Sequence, residues 1–268
     1  MITSIHNPKI QWVRSLLSQS RLRREEGVFV VEGMRLVEEA LLSGWGASLL
    51  LYTAEFAARG FSLIERFAAQ GTPVEEVSPA VLKAVSDTET PQGVLAVLPV
   101  RLLPLPSRPD FLLIADGVRD PGNLGTILRS AAAAGVQAVL LPPGSVDPFS
   151  PKVVRSGMGA HFRLPVLQIA WEEIRLQFLQ NQAQNLKVYL ADASGGQVYF
   201  HEDFSKPLAL VIGGEAQGAG QVSREVATCR VTIPMPGHME SLNAAVAAAI
   251  LMFEVVRQRN RIHKGDHD

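Results

Sequence analysis

Residues 111–135 have the sequence FLLIADGVRDPGNLGTILRSAAAAG, in which a wholly apolar run leads into a Gly- and Pro-containing loop and then into a helix. The apolar run predicts a strand over residues 111–115 that is buried on both faces. We expect a helix over 124–134, with Asn123 as its cap and Gly135 directly after its end. A strand, a loop and a helix in this order are typical of a parallel α/β sheet, in which ligands bind at the carboxyl ends of the strands.

The same alternation continues toward the end of the chain. Four more apolar runs predict strands, at residues 138–141, 188–191, 208–212 and 230–233. Helices are predicted at 171–179 and 242–259, and the second is apolar nearly all round as far as Met252. We therefore expect it to be a buried central helix. The fold class predicted for this part of the chain is α/β with a mostly parallel sheet.

A domain break is predicted at residues 99–109, PVRLLPLPSRP, because four prolines in eleven residues are incompatible with a helix or a central strand. The break divides the chain into a domain at 1–107 and a second domain at 108–268. Short apolar segments alternate in the first domain as well. They predict a smaller α/β domain, with strands at 28–32, 49–52, 74–77 and 93–98 and helices at 34–42 and 63–69.

The composition limits what kind of site the chain can hold. The net charge of its 268 residues is −1, so any contact with nucleic acid must come from a local basic patch. The single cysteine, Cys229, excludes an internal disulfide framework, and we expect it to be a small buried thiol. The six histidines show no paired ligand spacing, so no metal is expected. The chain has no stretch typical of a signal peptide or a membrane span, which favours a cytoplasmic protein without membrane contact.

Two further loops follow predicted strands. Residues 212–220, IGGEAQGAG, contain four glycines that allow the backbone to approach a ligand closely, and one carboxylate, Glu215. This loop lacks the endings of the phosphate-binding P-loop and the GxGxxG spacing, which argues against a Rossmann-type nucleotide enzyme. In residues 233–249, IPMPGHMESLNAAVAAA, two prolines stiffen a loop before a helix that Ser241 or Asn243 begins. Such a rigid loop suits recognition of a small ligand.

Together and in this order, the three loops resemble the three motifs of the SpoU/TrmH family of the SPOUT superfamily, which are RNA 2′-O-ribose methyltransferases. The matching patterns are N-x(5)-R from Asn123, GxE-x-x-G from Gly213 and IPM-x-G-x(3)-SLN from Ile233. The resemblance implies a trefoil-knotted C-terminal domain, a homodimer, and S-adenosylmethionine as the cofactor. The N-terminal part resembles the substrate-binding domain often joined to this family, in the segments SIHNP, FVVEG and TPQGV.

The resemblance also implies roles for individual residues. The cofactor would contact Gly213, Gly214, Ile233, Met235 and Leu242. The catalytic residues would be Arg129, Asn123, Glu215, Ser241 and Asn243. Because an arginine is too basic to accept a proton at neutral pH, Arg129 would grip a phosphate of the target nucleotide or stabilise the developing alkoxide. Glu215 would pair with Arg129 or hold a loop, and the remaining residues would orient Arg129 and the ribose.

The N-terminal segment supplies a local basic patch. Residues 1–24 include basic side chains and no acidic ones, and four are predicted to contact RNA: Lys9, Arg21, Arg23 and Arg24. The predicted function is methylation of a ribose 2′-hydroxyl, in 23S rRNA rather than tRNA because of the accessory domain. A methyltransferase acting on tRNA and a non-catalytic ribosome-binding protein of the same fold are the alternatives. The presence of Arg129 and of the SLN segment argues against the second alternative.

Overall fold

The structure, a computed structural model, describes residues 1–179, 186–215 and 218–265. These residues divide into two compact units. The first unit comprises Met1–Arg101 and Asp147–Arg163, and the second comprises Leu102–Val146 and the described residues from Leu164 onward. We call Asp147–Arg163 the insert, because it belongs to the first unit but lies within the sequence of the second. The predicted division after residue 107 treats the two domains as consecutive, and it stays a prediction.

The first unit is built on a four-stranded sheet. Its strands are β1 (Val28–Glu32), β2 (Leu49–Tyr52), β3 (Val74–Glu76) and β4 (Val94–Pro99), in the order β1-β4-β2-β3. β4 is antiparallel to both of its neighbours, and β2 and β3 are parallel. The strands predicted from the apolar runs are confirmed, within a residue or so at their ends.

Five helices flank this sheet: α1 (Pro8–Ser18), α2 (Ser20–Glu26), α3 (Met34–Leu42), α4 (Ala54–Ala69) and α5 (Pro79–Ala84). α4 is longer than the predicted helix at 63–69. α1 begins where it does because the Asn7 side chain accepts a hydrogen bond from the Lys9 N–H and Pro8 occupies the first helical position. Its apolar residues recur at helical spacing and are buried, namely Ile10, Val13 and Leu16.

The insert contains a helix, Pro151–Gly157, and a 3₁₀ turn, Ala160–Phe162. The ring of Phe29 on β1 packs against that of Phe149, with centroids 5.1 Å apart. His161 is also buried here, and its Nε2 lies 2.7 Å from the Pro148 carbonyl oxygen. Burial lowers the pKa of His161 to about 4, so the ring is neutral at neutral pH and donates this hydrogen bond.

The second unit is built on a seven-stranded parallel sheet. Its strands are β5 (Phe111–Asp116), β6 (Ala138–Leu141), β7 (Val166–Gln168), β8 (Lys187–Ala191), β9 (Gln197–Val198), β10 (Leu208–Gly213) and β11 (Cys229–Thr232). The spatial order is β7-β6-β5-β10-β8-β11-β9, and every neighbouring pair is parallel. The predicted α/β class with a parallel sheet is confirmed. The strand order reverses between β5 and β10, which is the position where such sheets bind ligands.

The helix after β5, α6 (Pro121–Ala134), begins three residues before its predicted start. Asp120 caps it and accepts a hydrogen bond from the Asn123 N–H at 2.8 Å, with Pro121 at the first helical position. The prediction that Asn123 caps this helix is therefore wrong, and Asn123 lies within its first turn. Gly135 ends the helix with a φ of 75°, as predicted.

The other helices of this unit are Trp171–Ile174, Gln221–Val226 and Ala244–Gly265, with a π-helical turn at Arg175–Leu179 and a 3₁₀ turn at Tyr199–His201. The helix Ala244–Gly265, called the C-terminal helix below, is not buried all round as predicted. Val246 and Phe253 on one side are 49% and 48% exposed, whereas Ala248 and Met252 are fully buried. Apolar residues therefore lie on both the buried face and the exposed face of this helix.

Two expectations drawn from the composition concern Cys229 and membrane-spanning helices. Cys229 is only half-buried, so the expectation of a buried thiol is wrong. Among the described residues, no helix is long and apolar enough to cross a membrane.

Candidate active site

A cavity of about 410 Å³ lies at the carboxyl ends of three neighbouring strands of the second unit, β10, β8 and β11. All five residues predicted to contact the cofactor line it: Gly213, Gly214, Ile233, Met235 and Leu242. Its volume suits a drug-sized ligand, and most of its lining is apolar or backbone. The structure thus brings these residues into one site, while their role toward a cofactor stays a prediction.

The wall at Gly213 and Gly214 is formed by backbone segments that approach one another closely. A Cβ atom at Gly213 would overlap the backbone of Ala219, and one at Gly214 would overlap the carbonyl of Gly117. The Gly214 N–H donates to the Asp116 carbonyl oxygen at 2.8 Å, and the Gly218 N–H donates to the Gly214 carbonyl oxygen at 3.0 Å. Glycine is required here because of this close approach and not because of a positive φ.

Asp116, at the end of β5, holds the glycine-rich loop in place. Its Oδ2 accepts hydrogen bonds from the Gly220 N–H at 2.7 Å and from the Ser223 hydroxyl at 2.6 Å. Both Asp116 and Ser223 are buried. Asp116 is not among the residues predicted from the sequence, although a carboxylate directly after a wholly apolar run was a usable signal.

Three of the predicted catalytic residues form one hydrogen-bonded chain. The Asn243 side-chain amide donates to Asn123 Oδ1 at 2.9 Å, and the Asn123 amide donates to Glu215 Oε1 at 2.5 Å. Asn243 Oδ1 also accepts the Ala245 N–H at 2.9 Å, so Asn243 caps the C-terminal helix, one of the two alternatives that the sequence left open. This hydrogen-bonded chain joins α6, the loop after β10 and the C-terminal helix at one edge of the sheet.

Ser241 and Arg129 are not part of this hydrogen-bonded chain. Ser241 lines the cavity and is exposed. Arg129 is exposed on α6, six residues after Asn123, which places it roughly 9 Å farther along the helix and about 120° around it. Among the described residues, no hydrogen bond or ion pair includes Arg129. Of the two roles predicted for Glu215, the structure favours holding a loop, since its partner is Asn123.

The predicted RNA-binding residues have different environments in the first unit. Lys9 pairs with Glu75, Arg21 pairs with Glu25, and all three of Lys9, Arg21 and Arg24 are exposed. These three stay candidates for contact with phosphate.

Arg23 is different, because only 4% of it is exposed. It donates from Nη2 to Asp147 Oδ2 at 2.6 Å and from Nη1 to the carbonyl oxygens of Leu16 and Leu17. The prediction that Arg23 contacts RNA is therefore wrong, because its guanidinium is already occupied inside the protein.

A family model described as the SpoU rRNA Methylase family matches residues 110–253, more than half of the chain. The chain belongs to the SpoU rRNA methylase family. A second model, the MRM3-like substrate binding domain, matches residues 7–96. The resemblance inferred from the three loops is thereby confirmed, and so is that of the N-terminal part.

Individual relatives extend over nearly the whole chain. The 23S rRNA (guanosine(2553)-2'-O)-methyltransferase RlmP of Bacillus subtilis is 35% identical over 95% of this chain and 98% of its own length. The AdoMet-bound rRNA methyltransferase of Sinorhizobium meliloti superposes with a TM-score of 0.85, at 32% identity over 96% of this chain and 97% of the other. The SpoU methyltransferase AviRb of Streptomyces viridochromogenes, in complex with AdoMet, gives 0.83 at 31% identity over 95% and 100%. The trefoil knot itself stays a prediction.

Proposed function

We propose that the protein transfers the methyl group of S-adenosylmethionine to a ribose 2′-hydroxyl of 23S rRNA. The observation that carries this proposal is the cavity at the carboxyl ends of β8, β10 and β11, with the chain of Asn243, Asn123 and Glu215 at its edge. The names of the relatives from Bacillus subtilis and Streptomyces viridochromogenes, both 23S rRNA 2′-O-methyltransferases, support the substrate.

The cofactor of the protein is S-adenosylmethionine, and the cavity fits it. Two related structures hold AdoMet. The close backbone approach at Gly213 and Gly214 leaves a wall without side chains, against which a flat ligand can lie and meet N–H and C=O groups. Ile233, Met235 and Leu242 supply the apolar side of the cavity. When bound, S-adenosylmethionine supplies a methyl group on a positively charged sulfur.

The side chains around the cavity place the ribose and its proton. Asn123 donates one hydrogen bond to the Glu215 carboxylate and accepts one from Asn243, so that the edge of the cavity is rigid before substrate arrives. Arg129 is exposed and holds no partner among the described residues, so its guanidinium is free to grip a phosphate of the target nucleotide through two hydrogen bonds. That phosphate would lie near the 2′-hydroxyl and would accept its proton during methyl transfer, which leaves S-adenosylhomocysteine as the second product.

The test of this role is Arg129→Lys, which keeps the charge and loses the planar fork. In a single-turnover assay, methyl transfer should slow about a hundredfold, which corresponds to about 3 kcal/mol of lost transition-state stabilisation. Affinity for S-adenosylmethionine should change less than threefold, because Arg129 does not line the cavity. Arg108→Lys, at another exposed arginine, is the control. Transfer by Arg129→Lys at the wild-type rate would contradict the proposed role.

The proposed substrate needs a second experiment. Ribose methylation is mapped by mass spectrometry in rRNA and tRNA from cells with and without the gene. One 2′-O-methyl group should disappear from 23S rRNA and none from tRNA. A loss confined to tRNA would favour the alternative substrate, and no loss at all would favour the non-catalytic alternative.

The proposal extends to the partners of the protein. In the first unit, Lys9, Arg21 and Arg24 hold RNA through phosphate contacts. The exposed apolar face of the C-terminal helix, at Val246 and Phe253, joins two copies into a homodimer. Sedimentation at micromolar concentration tests this, and Phe253→Glu should yield monomers. We also propose a cytoplasmic location, which the bacterial relatives named as 23S rRNA methyltransferases support.

A further inference from the structure

The carboxylate of Asp192 stands at the end of β8 and lines the cavity described above. Its Oδ1 accepts two hydrogen bonds from Ser194, one from the N–H at 2.9 Å and one from the hydroxyl at 2.6 Å. Its Oδ2 is buried and accepts no hydrogen bond from any described residue. The nearest cation, Nη1 of Arg230, lies 3.6 Å from Oδ2, within the range of an ion pair but too far for a good hydrogen bond.

The Asp192 side chain is charged at neutral pH. Burial by itself would raise its pKa, but the hydrogen bonds from Ser194 and the nearby Arg230 outweigh burial and leave the pKa below its ordinary value. A buried, charged oxygen that lacks a donor has lost the hydrogen bonds that water would give it. A ligand donor that enters the cavity restores one of them, and hydrogen bonds to charged acceptors are the stronger kind.

The position of Asp192 in the sheet sets it apart from the hydrogen-bonded chain. Asn123 follows β5, Glu215 follows β10 and Asp192 follows β8, the next strand in the order. Since neighbouring strands lie about 4.8 Å apart, Asp192 is about 10 Å across the sheet from the strand that leads to Asn123. β8 is the middle one of the three strands that carry the cavity, so Asp192 lies one strand away from Glu215 and two strands away from the strand that leads to Asn123.

We infer that Asp192 recognises S-adenosylmethionine, its Oδ2 accepting a hydrogen bond from an O–H or N–H group of the cofactor. Three parts of the cofactor have this chemistry: the hydroxyls of its ribose, the amino group of its adenine and the amino group of its methionine part. The inference rests on the proposed function for the identity of the ligand. It assigns a polar recognition residue to a cavity whose predicted contacts are otherwise backbone groups and apolar side chains.

The experiment is calorimetric titration of Asp192→Asn with S-adenosylmethionine, which has a matched control in the same unit. Asp203 also accepts the N–H and hydroxyl of a serine two residues later, Ser205, but it does not line the cavity. Asp192→Asn should bind S-adenosylmethionine at least tenfold more weakly than wild type. Asp203→Asn should stay within twofold. Equal affinity of Asp192→Asn and wild type would overturn the inference.

A second ligand narrows the choice of donor group. Methylthioadenosine retains the adenine and the ribose and lacks the methionine amino group. If Asp192→Asn weakens binding of both ligands, the donor belongs to the adenosine part, and if it weakens binding of S-adenosylmethionine alone, the donor is the methionine amino group.

Two further outcomes distinguish a failure of the inference from a failure of the proposed function or of folding. If wild type itself binds no S-adenosylmethionine, the proposed function fails. If Asp192→Asn melts well below wild type, wild type is titrated instead with three analogues of S-adenosylhomocysteine, which lack both ribose hydroxyls, the adenine amino group or the methionine amino group. Binding of all three analogues at the affinity of the parent compound would then overturn the inference.

Discussion

Replacing Arg23 with alanine should destabilise the protein strongly and should leave the RNA-binding surface intact. The Arg23 side chain is 5% exposed and that of its partner Asp147 is 12% exposed. The substitution leaves a buried carboxylate without its cation and frees the carbonyl oxygens of Leu16 and Leu17. Removal of one partner of a buried ion pair costs about 3–5 kcal/mol. For a unit of this size, that corresponds to a fall in melting temperature of roughly 10–20 °C.

The comparison is Arg21→Ala, two residues away on the same helix. The Arg21–Glu25 pair is 85% and 55% exposed, so its loss should cost at most about 1 kcal/mol. Melting is followed by calorimetry, and RNA affinity is measured at several salt concentrations. Replacing Arg21 and Arg24 together should flatten the salt dependence of RNA binding without lowering the melting temperature much. The reasoning is refuted if Arg23→Ala melts within about 2 °C of wild type and flattens the salt dependence as the surface variants do.

Three further predictions follow from buried groups and from the cavity. The folded pKa of His161, about 4, lies below the unfolded value of about 6.5, so the protein loses stability as the pH falls through this window, by about 2 kcal/mol at pH 5. In His161→Phe the melting curves at pH 7 and pH 5 should therefore converge. If this variant were as acid-sensitive as wild type, a buried neutral His161 would not be the cause of the acid sensitivity. Gly214→Ala should lose cofactor binding in calorimetry and melt earlier, because its Cβ meets the Gly117 carbonyl, whereas Gly237→Ala has open space and should match wild type. S-adenosylmethionine should bind equally well with and without EDTA, since the described residues offer no group of metal ligands, and a tenfold loss on chelation would contradict this.

The interior strands of the parallel sheet were predictable because burial leaves a continuous apolar run in the sequence. The edge strands β7 and β9 were not predicted, and both are short and contain no buried residue. FLLIA and LALVI have no polar residue, and both lie in the middle of the parallel sheet as β5 and β10. The candidate cofactor residues were predictable from three loops that share a position after strands. The correct start of α6 could also have been predicted, because the sequence Asp120-Pro121 is a common way to begin a helix.

The features that the sequence hid depend on contacts between residues far apart in the chain. The sequence of a basic run does not show whether one of its arginines faces solvent or pairs with an aspartate. Asp147, the partner of Arg23, lies 124 residues away from it in the sequence. The insert joins the first unit for the same reason, through packing that leaves no local pattern. The Asn123–Glu215 hydrogen bond spans 92 residues, so only the fold shows that the first two loops meet there.

The strand order has a consequence for synthesis of the chain. β10 pairs with β5 on one side and β8 on the other, but about 90 residues separate the end of β5 from the start of β10. At a ribosomal rate of about 5–20 residues per second, the apolar edge of β5 waits roughly 5–20 s for its partner. An unpaired apolar edge is a template for pairing with another nascent chain. The strand that carries Gly213 into the cavity is therefore also the one whose late arrival leaves the nascent sheet open to aggregation.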